Sequence, residues 1–212
     1  MEAQQLTFFD ALMDLFIVNP ICLIGVIILA GLLIWSLKGE QVSTKISVSL
    51  ASLLLLYYLF ISLVNVFGIA TLRDFSRLGD LGESVFNPNI ELIPFTDGFS
   101  LSFLLNIVAF MPIGFLLPFI SPAFKNIKKV ILSGLLLSLT IEISQLFTLY
   151  RATDINDLLT NTLGVLLGYC CYLLIAKLFL KNKKDLSSTN KRLQLLPPVV
   201  LLIGFLTIFL LF

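Results

Sequence analysis

Histidine is absent from the 212 residues. Its absence removes Ser-His-Asp catalysis, His-ligated zinc and the usual proton shuttle near neutral pH. Cysteine is scarce: Cys22, Cys170 and Cys171 all lie in apolar runs. They form no C-x-x-C pair and no framework in an exposed loop, so they are read as small packing residues. Charge is scarce as well, at 13% of residues, against about 25% in soluble domains. No polar stretch carries a basic patch interleaved with aromatics, so nucleic acid is not an expected partner. The first 14 residues hold Glu2, Asp10 and Asp14 but no Lys or Arg. A secretory signal opens on a basic region, so the first apolar run is expected to stay as a helix.

What fills the chain instead is apolar. Hydrophobic residues make up 58%, with 19 Phe and a mean hydropathy of +1.03. The expected fold is all-α, a polytopic helical membrane protein whose immediate partner is the lipid bilayer. About 20 apolar residues cross a bilayer as a helix. Six segments qualify: 16–37, 46–67, 101–120, 130–149, 158–180 and 195–212. Basic residues give the orientation. Lys38 and Lys45 follow the first span, and Lys125, Lys128 and Lys129 follow the third. Lys177, Lys181, Lys183, Lys184, Lys191 and Arg192 surround the link between the fifth and sixth. The positive-inside rule makes all these links cytoplasmic, so the chain is expected N-out and C-out. Residues 1–180 are read as a five-helix core, 181–194 as a charged cytoplasmic linker and 195–212 as a sixth helix. The outer connection, 68–100, carries two prolines and several apolar residues, and is expected to fold over the outer helix ends. Its Arg73 and Arg77 lie near Asp74 and Asp80, so surface pairing is their default role.

Polar chemistry concentrates at 138–168, which reads SLTIEISQLFTLYRATDINDLLTNTLGVLLG. A charged side chain costs roughly 2.5 kcal/mol or more near a bilayer centre, which makes Glu142 a functional-site hypothesis. At 1.5 Å per residue it lies about 12 Å beneath the outer surface. Gln145 sits one turn higher. Asn106 in the third span, Asn65 in the second, and Asp157 with Asn161 in the fifth reach a similar level, with Asn65 near its span end read first as a helix-end hydrogen-bonder. Gly134, Ser138, Glu142 and Gln145 share one helical face, as do Asp157, Asn161, Gly164 and Gly168. The small residues on each stripe would let backbones pack closely, and Pro112 would kink the third span and open its outer half. A plainer reading competes: Asp154 or Asp157 caps the fifth helix, Arg151 neutralises a carboxylate, and the cluster only fixes helix packing. Capping does not account for Glu142, which lies a turn or two below.

Three stretches resemble the VanZ-like membrane protein family: NPNIELIPF (87–95), NIVAFMPIGFLLPF (106–119) and EISQLFTLYRATDINDLLTNTLGVLLGY (142–169). The last is the most specific, with E-x-x-Q, an Arg in the link and D-x-x-D-x-x-x-N-T-x-G on the next helix. Positions matching the family's motifs are Asn87, Pro94, Phe95, Asn106, Pro112, Gly114, Glu142, Gln145, Arg151, Asp154, Asp157, Asn161 and Gly164. The resemblance implies a bacterial cell-envelope protein of the cytoplasmic membrane, in a family whose namesake is associated with low-level resistance to the glycopeptide teicoplanin. Its core is commonly four or five spans, so the sixth departs from the pattern.

Three functions follow. The first is binding. Asn106, Glu142, Gln145, Arg151, Asp154, Asp157 and Asn161 would line an outward-facing acidic pocket for a glycopeptide, a lipid headgroup or a lipid-linked cell-wall precursor. The second is a hydrolase or transferase acting on a lipid headgroup, with Glu142 or Asp157 as general base. No nucleophile elbow or metal signature accompanies them, and no cofactor is expected. The third is proton-coupled transport through Glu142, which the scarcity of polar residues in the inner half-spans disfavours.

Overall fold

The computed structural model describes residues 22–94, 101–149, 151–179 and 190–211. Seven helices occur among them: α1 (Cys22–Ser36), α2 (Val42–Ser62), α3 (Leu72–Asp80), α4 (Leu101–Ile120), α5 (Ile127–Gln145), α6 (Ile155–Phe179) and α7 (Lys191–Leu211). A π-turn, Leu63–Phe67, extends α2, and a 3-10 turn, Pro122–Lys125, joins α4 to α5. The chain is all-α except for one parallel pair of two-residue strands, β1 (Ile90–Glu91) and β2 (Thr153–Asp154).

Four helical stretches are long and apolar enough to cross a membrane: Val42–Asp80, Leu101–Ile120, Ile155–Leu178 and Lys191–Leu210. That is fewer than the six expected from hydropathy. Helix α1 is described over 15 residues only, because the expected start at residue 16 lies outside the described residues. Helix α5 has 19 residues but carries Lys128, Lys129 and Glu142, more charge than an ordinary span. Apolar side chains also face outwards: Ile27 is 70% exposed and Ile34 78%. Helices apolar on all sides fit lipid surroundings, and the protein is embedded in a membrane.

The tightest contact is between α4 and α6. A β-carbon built on Gly168 would lie 2.0 Å from the Met111 carbonyl oxygen. One on Gly164 would lie 2.3 Å from the Ile107 oxygen, and one on Gly114 would lie 2.0 Å from the Val165 oxygen. Backbone therefore meets backbone, as small residues permit between membrane helices. The pairs Ile107–Gly164 and Met111–Gly168 advance together, so α4 and α6 run parallel. Helix α5 runs antiparallel beside them: Gly134 packs on the Val165 side chain, and Ser138 meets Asn161. Buried Phe110, Ile113, Leu117 and Val165 fill the centre of this trio. On its other side α7 joins α1 and α2 through Gly25 against Thr207 and Gly204 against Leu59.

The alternation of helices gathers Lys38, Lys45, Lys125, Lys128, Lys129, Lys191 and Arg192 at one end. Arg192 lies over the Trp35 ring, 4.7 Å from its centroid, and Asn190 Nδ2 donates to Glu40 Oε1 at 2.7 Å. Those contacts tie the start of α7 to the α1–α2 link. Helix α7 begins at Lys191, so the last residues of the expected linker 181–194 are helical. Residues 181–189 lie outside the described residues.

Helix α4 continues through Pro112 and Pro118. Pro112 lacks the N–H that would reach the Val108 carbonyl. Next to that interruption, the Tyr58 hydroxyl donates to the Ala109 carbonyl. Tyr58, Pro112, Phe115 and Gly168 line an apolar cleft of about 530 Å³ on this side.

The close approach dictates a stability test. Gly168→Ala drives a methyl into a backbone carbonyl that cannot swing away, and overpacking costs about 1–3 kcal/mol. Gly31 has nothing within 4 Å of its built β-carbon, and Gly→Ala in an open helix gains roughly 0.5–1 kcal/mol. Thermal melting in detergent is expected to fall for Gly168→Ala and to hold or rise for Gly31→Ala. Equal melting of the two variants contradicts the packing.

Candidate functional site

The polar layer forms where the C-terminal end of α5 meets the N-terminal end of α6. Glu142 is 3% exposed, and its Oε2 accepts the Asp154 N–H at 2.9 Å. Its backbone carbonyl accepts the Thr153 hydroxyl at 2.9 Å. Glu142 thus closes the link between α5 and α6. This corrects the expectation that local backbone satisfaction leaves Glu142 unexplained: its carboxylate is itself the acceptor for the strand that opens α6. In apolar surroundings a backbone amide without a partner is costly, which gives the buried acid a structural task.

The other members fan out from that link. Asp154 Oδ1 accepts the Asn156 N–H at 2.8 Å, and Oδ2 accepts Asn156 Nδ2 at 3.3 Å, as a helix-start cap does. Asp157 Oδ1 accepts from Asn106 Nδ2 at 2.7 Å, joining α6 to α4. Asn161 Nδ2 donates to Ser138 Oγ at 3.0 Å, joining α6 to α5. Gln145 Nε2 donates to the Phe67 carbonyl at 2.9 Å, reaching the π-turn after α2. Asn106, Glu142, Gln145, Asp154, Asp157 and Asn161 therefore each hydrogen-bond, in separate groups that together tie three long helices to the end of α2.

Asn65 and Arg151 make other contacts. Asn65 is exposed and donates to the Ile61 carbonyl at 3.1 Å on its own helix, so it stays outside the layer. Arg151 is exposed and donates from Nη2 to the Val66 carbonyl at 3.3 Å. Its guanidinium packs over Gly68, where φ is +58° and a β-carbon would lie 3.1 Å from Nη2. Glycine there both ends the π-turn and admits the arginine. The arginine bonds backbone and forms no direct ion pair with a carboxylate among the described residues, while its charge stays within electrostatic reach of Glu142 and Asp157.

The connection after α3 folds over this end. The Asn87 N–H donates to the Leu146 carbonyl at 2.9 Å, and the Thr153 N–H to the Asn89 carbonyl at 2.8 Å. The strands place Ile90 beside Thr153 and Glu91 beside Asp154, adding a fourth acid beside Glu142, Asp154 and Asp157. Pro94 is exposed, and Phe95 lies outside the described residues. Pro112, Gly114, Gly164 and Gly168 act in the packing of α4 and α6 rather than in the layer.

Two buried side-chain acceptors in the layer have no partner, Gln145 Oε1 and Asn161 Oδ1. An unsatisfied buried polar atom costs about 1–3 kcal/mol. Ser138, which holds Asn161, lies one turn below Glu142, and Gln145 lies about one turn above. One free acceptor thus lies above the acid on α5, and the other is held on α6 beside Ser138, below it. Among the described residues no three His, Cys, Asp or Glu side chains gather as metal ligands. Glu142, Asp154 and Asp157 are each turned to a different donor.

The family described as VanZ/LLP1 matches residues 16–180. The chain belongs to the VanZ/LLP1 family. It is 39% identical over 108 residues to Protein VanZ of Enterococcus faecium, a stretch covering 48% of this chain and 65% of that protein. The chain therefore spans slightly less than two thirds of that relative's length. No solved structure matches the chain. In this VanZ/LLP1 chain the family match ends before α7, the helix that packs on α1 and α2.

Sequence reasoning missed Thr153 and Asn156. Thr153 bonds both the Glu142 carbonyl and, through its N–H, the Asn89 carbonyl. Asn156 is 6% exposed, holds Asp154 and accepts the Thr160 hydroxyl at its carbonyl. The T-D-I-N spacing was the available signal, since a helix-start cap draws on the residue two positions on.

The Asn106–Asp157 bridge carries a measurable coupling. Interhelical hydrogen bonds in membranes average about 0.6 kcal/mol and reach about 1.7. A double-mutant cycle with Asn106→Ala and Asp157→Ala is expected to return a coupling in that range, while Asn65→Ala with Asp157→Ala returns none. Additive effects at 106 and 157 refute the bridge.

Proposed function

We propose that this VanZ-like envelope protein crosses the bacterial cytoplasmic membrane six times, with the Glu142 end facing outwards. Its polar layer binds the amine- and hydroxyl-bearing part of a glycopeptide or of a lipid-linked cell-wall precursor. Binding lowers susceptibility to teicoplanin. The observation that carries this reading is the pair of buried acceptors without a partner, Gln145 Oε1 and Asn161 Oδ1. They flank a carboxylate in a layer that is otherwise hydrogen-bonded, and acceptors of that kind fit a ligand rich in N–H and O–H donors. Glu142, Asp154, Asp157 and Glu91 add negative charge that favours an amine. The gathering of eight basic residues of the inner links at the opposite end (Lys38, Lys45, Lys125, Lys128, Lys129, Lys177, Lys191 and Arg192) supports the orientation, with Lys181, Lys183 and Lys184 outside the described residues. The apolar surroundings suit a ligand with a hydrocarbon chain. Membership of the family, whose namesake is associated with teicoplanin resistance, points the same way.

The test is teicoplanin susceptibility in a sensitive bacterial host carrying empty vector, wild type, Glu142→Gln or Glu142→Ala, with membrane abundance matched by immunoblot. Wild type is expected to raise the inhibitory concentration. Glu142→Gln keeps an acceptor for the Asp154 N–H and is expected to retain most of the effect. Glu142→Ala leaves that amide bare and is expected to fall to the empty-vector value. No protection by wild type removes the resistance role. Equal loss in both variants at equal abundance replaces binding by proton chemistry at Glu142.

A further inference from the structure

The Glu142 end carries a second site of opposite sign. Arg73 and Arg77 of α3 and Arg151 of the α5–α6 link all line one cleft of about 510 Å³. These are the three arginines that the sequence places away from the lysine end, and they come from two separate parts of the chain. Arg73 and Arg77 are four residues apart and so share a face of α3. The buried Leu78 fixes that helix against the bundle. Val64, Leu149 and Ile208 supply apolar wall from the π-turn after α2, the α5–α6 link and α7.

The nearest carboxylate is already committed. Asp74 Oδ2 accepts the Thr71 N–H at 2.9 Å and the Thr71 hydroxyl at 2.8 Å, while Thr71 Oγ1 accepts the Asp74 N–H at 3.2 Å. That reciprocal box starts α3. The surface pairing expected for Arg73 and Arg77 is not formed: among the described residues neither guanidinium has a hydrogen-bond or ion-pair partner. Arg151 is pinned by the Val66 carbonyl and keeps its remaining donors. The lining of the cleft therefore holds three guanidinium groups and one carboxylate above an apolar floor, with Glu142 and Asp157 outside the lining but within electrostatic reach of Arg151.

We propose that this cleft binds the headgroup of a phosphomonoester lipid, with the hydrocarbon chain lying along the apolar wall. A phosphomonoester carries a charge of about −1.5 to −2 at pH 7, which matches the excess of arginine over carboxylate. Guanidinium forks bind phosphate oxygens in pairs. An amphipathic helix bearing arginine on its polar face belongs at the headgroup level of a bilayer. Zwitterionic headgroups lack the charge, and free phosphate lacks the chain. The assignment rests on the membrane placement of the bundle and not on the acid–amide layer.

The test uses the full chain in non-ionic detergent, with native mass spectrometry reading the bound fraction against lipid concentration. The probes are phosphatidic acid, phosphatidylcholine and inorganic phosphate. Phosphatidic acid is expected to bind at least about tenfold more tightly than phosphatidylcholine. The Arg73→Gln/Arg77→Gln pair and, separately, Arg151→Gln are each expected to weaken phosphatidic acid by about tenfold. Lys128→Gln/Lys129→Gln, at the opposite end, is expected to leave it unchanged. Melting temperature checks the fold of the exposed α3 pair; should it fall, Arg151→Gln decides. Equal affinity for the two lipids, no loss in the arginine variants, or equal loss in the lysine variant overturns the site. Displacement of the lipid by inorganic phosphate at similar concentration overturns the lipid assignment. No glycopeptide enters the assay, so its failure leaves the susceptibility experiment standing, and the reverse also holds.

Discussion

The arrangement depends on one backbone contact. Where α4 and α6 touch at Gly114, Gly164 and Gly168, there is no room for even a methyl group. Lipid supplies no hydrophobic force to pull helices together, so shape and hydrogen bonds must do it. Three glycines let two helices meet at carbonyl distance, and that contact sets their parallel register. From it follow the positions of Asn106 and Asp157, and the groove into which α5 lays Gly134, Ser138 and Glu142. Replace the glycines and the polar layer loses its frame before any of its own residues is touched.

The layer itself obeys the rule that backbone away from water must find partners within the protein. Strand β2 interrupts helical bonding between α5 and α6 and leaves amides to satisfy. Glu142 answers one, the Asn89 carbonyl another, and the Asp154 side chain a third. A buried carboxylate is costly unless it is hydrogen-bonded, so the acid and the broken backbone stabilise each other. The same side chains that the proposed ligand would meet are the ones that hold the helices together. The two free acceptors, on Gln145 and Asn161, mark where structural need ends and spare capacity begins.

Charge is sorted with equal economy. Lysines collect at one end, with Arg192 laid over Trp35 to hold the last helix. At the other end carboxylates rim the α5–α6 link while three arginines line a separate cleft beside it. Adjacent regions of opposite sign, the arginine cleft among them with an apolar wall, suit amphipathic molecules lying at headgroup depth.

Much was legible in the sequence because bilayers impose simple rules. Hydropathy and length determined the all-α membrane character, and the 3.6-residue repeat placed Gly134, Ser138, Glu142 and Gln145 on one face. The motif spacing marked Asn106, Asp154, Asp157 and Asn161 as a group. Partners were not legible, because a side chain's bonding depends on which neighbour arrives, and spacing within one helix says nothing of that. Only the tertiary structure gave Glu142 to the Asp154 amide, turned Arg151 towards Val66, left Asn65 on its own helix and brought Arg73 and Arg77 beside Arg151. A span of apolar residues carries its environment in its own composition; a hydrogen bond between helices exists only once both have been placed.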